Sequence, residues 1–208
     1  MIEIIEVVPY RKRFLVRLQP QMEILLNARE IKKYQCVQGN ILNERQWEEL
    51  CRHLFVRGRE RALYLLDRSE QTEKQIKDKL VAGFYPATII EQVIEYLKEY
   101  HCIDDYRFTC NYIENKKNKK SRKQITQELY QKGISKENIE NAFDESDYSP
   151  MDSLMKLVEK KASRYDLNEY KELAKFYQYL LGKGYPYDAV DSVIKRLKEG
   201  CDLNNEEY

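Results

Sequence analysis

Gln124-Ile125-Thr126-Gln127-Glu128-Leu129-Tyr130-Gln131-Lys132-Gly133-Ile134 sets apolar residues at helical spacing and stops on a glycine. Two other segments share its grammar: Gln75-Ile76…Leu80…Gly83-Phe84 and Phe176…Leu180…Gly184-Tyr185. The three glycines lie 50 and 51 residues apart, and each is followed six and ten positions on by apolar residues: Ile89 and Val93, Ile139 and Phe143, Val190 and Ile194. The chain is an internal repeat.

Each glycine suits the left-handed residue just past a helix end, because it lacks the Cβ that penalises positive φ. A second helix follows at once. Pro86 and Pro186 fit its first turn, and Ser135 fits its N-cap. Ile89, Ile90, Val93, Ile94 and Leu97 trace one buried face, as do Val190, Val193, Ile194 and Leu197. Upstream, Thr72-Glu73-Lys74-Gln75 and Ser121-Arg122-Lys123-Gln124 match the capping box, in which an N-cap hydroxyl and a Gln three residues on satisfy each other's backbone N–H groups. A third helix opens each unit, over Arg59 to Asp67, over Tyr106 to Ile113, and from Ser149-Pro150 into Met151, Leu154, Met155 and Val158. A three-helix period of about 50 exceeds the ~34 of tetratricopeptide and the ~40–47 of HEAT or armadillo units. The expectation is a mainly α chain whose three tandem three-helix repeats stack into an elongated, curved body.

The front end changes period. Ile2 to Val8, Phe14 to Leu18 and Met22 to Leu26 read as three short strands, with turns at Pro9-Tyr10-Arg11-Lys12 and Gln19-Pro20-Gln21. Asn27-Ala28-Arg29-Glu30 looks like a capping box for a brief helix. So small an antiparallel sheet needs helices to pack on. Asn43…Gln46 then caps a helix bearing Trp47, Leu50, Cys51, Leu54 and Phe55; pattern alone leaves open whether it ends near Gly58 or runs on to Leu66. The expected divisions are 1–42 (β-rich extension), 43–104 (linking helix and first repeat), 105–147 (second), 148–200 (third) and 201–208 (tail).

The 208 residues include 36 basic and 35 acidic side chains, a formal net charge of +1, so any attraction for nucleic acid must be local. Five cysteines, Cys36, Cys51, Cys102, Cys110 and Cys201, form no CxxC pair and leave an odd count, which argues for reduced thiols in the cytoplasm. Cys51-Arg52-His53 and His101-Cys102 invite a zinc reading, against which stands the absence of regular ligand spacing. No metal or cofactor is expected, and no membrane segment or signal peptide.

The charge is concentrated at one place. Lys116, Lys117, Lys119, Lys120, Arg122 and Lys123 put six cations in eight residues, between the first and second helices of the middle unit. Such a run can neutralise phosphates or meet an acidic surface, or can simply keep a loop solvated. Arg57, Arg59 and Arg61 form a thinner stretch diluted by Glu60 and read as a solvated helix face. The seventeen tyrosines fall mostly on helical stripes and read as packing residues. Catalytic constellations are missing: there are two histidines, no Gly-rich phosphate loop and no H-E-x-x-H. The adjacent carboxylates Asp104-Asp105 read as a helix start. An enzyme is not expected.

Arg61-Ala62-Leu63-Tyr64-Leu65-Leu66, Thr72…Ile76…Lys79-Leu80…Gly83-Phe84, Asp104-Asp105-Tyr106-Arg107-Phe108 and Ile125…Glu128-Leu129…Lys132-Gly133-Ile134 occur in that order. In this the chain resembles the RecX family of bacterial recombination regulators, well over residues 59 to 200 and more loosely before. The resemblance implies three tandem three-helix repeats behind a β-rich extension. It also implies a non-enzymatic partner of the RecA recombinase, lodged in the groove of the RecA filament on single-stranded DNA; the chain itself is expected to be a monomer. Members of the family mostly inhibit, suppressing ATP hydrolysis, strand exchange and coprotease action. On that basis Lys116, Lys117, Lys119, Lys120, Arg122 and Lys123 are the expected contacts, followed by Arg107 and Arg59. The connector departs from the family in having no glycine and more lysine, and the first unit is one residue short between Leu80 and Gly83. The rival readings are a nucleic-acid-binding repeat that acts without RecA and a plain protein-interaction scaffold.

Overall fold

The computed structural model describes residues 2–203, which divide between Asp104 and Asp105 into two compact units. The first begins with strands β1 (Ile2–Tyr10), β2 (Arg13–Gln19) and β3 (Met22–Leu26), then α1 (Ala28–Lys33), β4 (Ile41–Leu42), α2 (Glu44–Arg68), α3 (Glu73–Val81) and α4 (Ala87–Glu99). The sheet is antiparallel with strand order β3-β2-β1-β4.

The alternating apolar runs predict three of the strands; the fourth, of only two residues, carries no period. It is drawn in by backbone bonds, Gly39 N to Ile4 O at 2.8 Å and Ile4 N to Asn40 O at 2.9 Å. Pro9 does not serve the first turn as expected. It lies inside β1 opposite Phe14, and the turn is Arg11-Lys12, with Arg11 at φ 56°. The inward residues Ile4, Val16, Leu18, Ile24, Leu26 and Leu42 join Leu50, Leu54, Ile76, Leu80, Val93 and Leu97 in one core, so the sheet closes on the first repeat.

Helix α2 is continuous for 25 residues, which settles the question at Gly58. A Cβ there would lie 3.3 Å from both Tyr85 Cε1 and Val93 Cγ2, so the glycine admits α4 and the Tyr85 ring at close range. That approach offsets the helix-propensity cost of about 1 kcal/mol.

The second unit holds α5 (Asp105–Lys116), α6 (Arg122–Gln131) and α7 (Lys136–Glu145), then α8 (Pro150–Ala162), α9 (Tyr170–Gly182) and α10 (Tyr187–Leu203). Each trio has its own core, centred on Phe108, Ile125, Leu129 and Phe143 in one and on Leu154, Phe176, Leu180 and Val190 in the other. In all three repeats the opening helix packs against the last: α2 on α4, α5 on α7, α8 on α10. The fold is thus mainly helical, three three-helix domains preceded by a small antiparallel sheet.

The first repeat departs from expectation at its glycine. Gly133 (φ 88°) and Gly184 (φ 87°) are left-handed as expected, but Gly83 is not; Phe84 takes that conformation, at φ 57°. The left-handed residue stands four positions after the stripe leucine in every repeat, and Gly83 stands three after Leu80. A side chain in this region costs about 1–2 kcal/mol, and Phe84 offsets part of it by an edge-on contact with Tyr10, ring centroids 5.5 Å apart. Gly83 serves closeness instead: a Cβ would come within 2.9 Å of Tyr85 Cε2.

Candidate partner and nucleic-acid interface

Of the six clustered cations, Lys116 closes α5, Lys117, Lys119 and Lys120 lie in the connector, and Arg122 and Lys123 open α6; the connector is the seam on which the third repeat docks. The Lys120 carbonyl accepts from Ser153 Oγ at 3.0 Å and from the Tyr148 hydroxyl at 3.4 Å. Since Ser153 has one proton and gives it to that carbonyl, the Tyr185 hydroxyl, 2.7 Å away, donates to Ser153. Burial pushes the Tyr185 and Tyr148 phenols up, so both stay neutral donors at ordinary pH. Ser121 caps α6 by accepting from Gln124 N and donates its own proton to Lys183 O at 2.6 Å. Ser121 therefore makes only the forward half of the expected capping box, whereas Thr72 and Gln75 close both halves. Gly184 sits against this seam: a Cβ there would lie 3.0 Å from Lys123 Cδ and 3.2 Å from Ser121 Oγ.

The cations themselves are unequally placed. Lys117 is mostly covered, bonded to Glu114 at 2.7 Å and Asp147 at 2.6 Å, and these carboxylates raise its ammonium pKa. Lys120 pairs with Glu128, whose other oxygen accepts from the Tyr112 hydroxyl at 2.6 Å. Burial and that bond push Tyr112 up to about 12. Burial pushes the Glu128 carboxyl up, and Lys120 and Tyr112 outweigh it, so its pKa is lowered. Lys116 lies 5.7 Å from the Tyr112 ring centre, and Arg122 lies 4.5 Å from that of Phe143 while remaining exposed. Lys119 and Lys123 are exposed. No acid interrupts the run in sequence, yet Glu114, Glu128 and Asp147 reach it in space.

The two weaker candidates lie elsewhere. Arg107 is an exposed residue of α5. Arg59, in α2, lies over Tyr96 at 5.2 Å and Phe55 at 5.9 Å. Arg57, read as part of a solvated face, is structural. It holds both oxygens of buried Glu30 at 2.9 Å and donates to Leu25 O at 2.8 Å. His53 Nε2 lies 2.6 Å from the same carboxylate. Burial pushes the Glu30 carboxyl up; the Asn27 N–H, His53 and Arg57 outweigh that and hold it below its ordinary value. His53 is thus a carboxylate partner, and among the described residues no three His, Cys, Asp or Glu side chains gather as a metal site. Among those residues, too, no helix is long and apolar enough to cross a membrane.

These features define a tandem three-helix repeat protein with a basic connector inside its middle repeat. Residues 59–97, 104–142 and 147–194 match, in order, the first, second and third three-helix domains of RecX. The chain belongs to the RecX family. It is 36% identical over 150 residues to the regulatory protein RecX of Clostridium tetani, covering 69% of this chain and 68% of that one. To the regulatory protein RecX of Clostridioides difficile it is 31% identical over 175 residues, covering 82% and 80%. The crystal structure of RecX from Lactobacillus salivarius superposes with a TM-score of 0.61 at 29% identity, over 70% of this chain and 97% of that one. A second crystal structure, of regulatory protein RecX, gives a TM-score of 0.61 at 20% identity over 93% and 98%, and so extends the likeness in fold.

Proposed function

We propose that the protein is a cytoplasmic, non-enzymatic regulator that binds RecA filaments on single-stranded DNA, in the filament groove, and inhibits their recombinase, ATPase and coprotease activities. The observation that carries this reading is the match of all three domains, in order, to a family whose members are named regulatory proteins. Within it, the exposed side chains of Lys119, Arg122 and Lys123 are the leading contacts, because they project from a seam that two repeats hold rigid. Lys116, beside Tyr112, and Lys117 and Lys120, engaged by carboxylates, are secondary contacts, with Arg107 and Arg59 as outlying ones.

The test is ATP hydrolysis by RecA preassembled on single-stranded DNA while this protein is titrated in below stoichiometry. Hydrolysis falls if the reading holds. Unchanged hydrolysis, with binding to bare DNA and a steep salt dependence, replaces it by a nucleic-acid-binding repeat that acts without RecA, a reading the exposed connector cations favour.

A further inference from the structure

Four cations far apart in sequence converge in the first unit. Arg13 at the start of β2, Arg57 and Arg61 one turn apart on α2, and Lys79 in the last turn of α3 line a cleft of about 440 Å³ floored by Ala82, Gly83 and Tyr85. Arg57 forms its wall: one terminal nitrogen is committed to Glu30, the other to Leu25 O, and its Nε lies 3.3 Å from the Tyr85 hydroxyl. The other three are exposed, and among the described residues no carboxylate pairs with them or lines the cleft. Like charges gathered without counter-charge repel, so their convergence favours an anion that comes from outside.

We propose that this cleft seats the sugar-phosphate backbone of a single nucleic-acid strand, a second strand contact separate from the connector. It rests on the single-strand part of the function proposed above. Backbone N–H groups play no part, because those of Gly83, Phe84 and Tyr85 are already bonded to Leu80 O or Val81 O. Recognition is therefore by side-chain charge alone, which reads phosphates regardless of sequence. An acidic protein partner fits less well. Protein docking sites are anchored by aromatic or aliphatic side chains entering apolar pockets; here the one aromatic, Tyr85, is wedged between Gly58 and Gly83, and the rest of the lining is small or cationic.

The experiment measures binding of the full chain to a fluorescent oligo-dT across a range of salt. It compares the wild type with the triple variant Arg13→Gln, Arg61→Gln, Lys79→Gln, and with a charge-keeping control, Arg13→Lys and Arg61→Lys. Each lost phosphate contact lowers the slope of log affinity against log salt by about 0.7 for a single strand, so the triple variant flattens it by about 2 and weakens binding on the order of tenfold or more at low salt. The control keeps the slope. A triple variant with native circular dichroism and an unchanged slope overturns the proposal, as does a wild type that does not bind the strand. Loss of polyglutamate binding with oligo-dT binding intact overturns it in favour of an acidic protein. RecA inhibition is scored separately. Inhibition that survives an unchanged slope leaves the regulatory reading standing without the cleft, and a flattened slope without inhibition does the reverse.

Discussion

The connector at 116–123 and the cleft of the first unit are both basic, and they reverse their order of importance between sequence and space. The connector is the densest run of cations in the chain, yet Lys117 and Lys120 are held by carboxylates, its Lys120 carbonyl is occupied by Ser153 and Tyr148, and its Ser121 hydroxyl is given to Lys183 O. The cleft draws its cations from positions 13 to 79, one or two at a time, and leaves three of them without a carboxylate partner among the described residues. Charge along a chain measures how many cations are near one another, not how many remain available once folding has supplied partners.

The largest effect is expected at the cleft's foundation. Glu30→Ala leaves the largely covered Arg57, held against Leu25 O and Tyr85, without its counter-charge; breaking a fully buried pair costs about 3–5 kcal/mol, and with Arg57 at the cleft wall the expected loss is about 2–3 kcal/mol. Denaturant unfolding should show this loss, and hydrogen exchange should place it in β2, β3 and α2 and leave α8 to α10 unaffected. The same carboxyl sets a pH dependence. Its folded pKa is lowered, so its contribution to stability is complete above the ordinary value of about 4.3 and fades as pH falls through the lower folded value. Wild type and Glu30→Ala should therefore converge in stability on acidification and diverge again toward neutrality; parallel curves through that range would contradict the assignment.

At the connector the effects are smaller. Gly184→Ala places a Cβ at positive φ against Lys123 and Ser121, for about 2 kcal/mol from the left-handed conformation and local displacement. Ser153→Ala strands the Tyr185 hydroxyl and leaves the Lys120 carbonyl only its longer bond from Tyr148, an expected loss of about 1–2 kcal/mol. Both should speed amide exchange in α6 and α8 and leave the first unit unchanged. If Ser153→Ala is neutral, the seam is held by packing, not by this relay of hydroxyls.

Much of this architecture was legible, and the failures have a common cause. The stripes Ile89 to Leu97 and Val190 to Leu197, and the boxes at Asn27, Asn43 and Thr72, are local patterns, and local patterns set helices and their starts. What was misread depends on partners distant in sequence. Gly83 looked like its siblings because the motif was aligned on glycine, whereas the turn is set by distance from Leu80; Tyr85 supplies the other reason for a glycine there. Strand β4 exists because Ile4 bonds to residues 39 and 40, and nothing in Ile41-Leu42 itself announces a strand. The carboxylates on Lys117 and Lys120 lie up to thirty residues away in sequence, and the cleft joins Arg13 to Lys79. The signal for the cleft was present only as Arg57 and Arg61, one helical turn apart; Arg13 and Lys79 reach it from other elements, and Glu60, beside Arg57 on the helix, stays out of its lining.

The smallest predicted effect separates the connector's own members. Lys117 and Lys119 are two residues apart with equal formal charge, so a reading by charge density gives their loss equal weight. In space Lys117 is covered and bonded to Glu114 and Asp147, while Lys119 is exposed. Replacing Lys117 by Gln also frees two carboxylates beside the interface, so repulsion is added to the lost cation; yet that cation was already neutralised before any partner arrived. Surface pairs of this kind contribute little to folding, and neither Lys117→Gln nor Lys119→Gln should move the melting temperature measurably. In filament inhibition or oligonucleotide binding, Lys119→Gln should lower the salt slope by one phosphate's worth, about 0.7. Lys117→Gln should weaken binding, if at all, through the freed Asp147 and Glu114, an effect that Asp147→Asn in the same chain removes. Equal slopes for the two single variants would mean that Lys117 leaves its carboxylates when the partner binds, and the connector would then have to be read, after all, by its sequence.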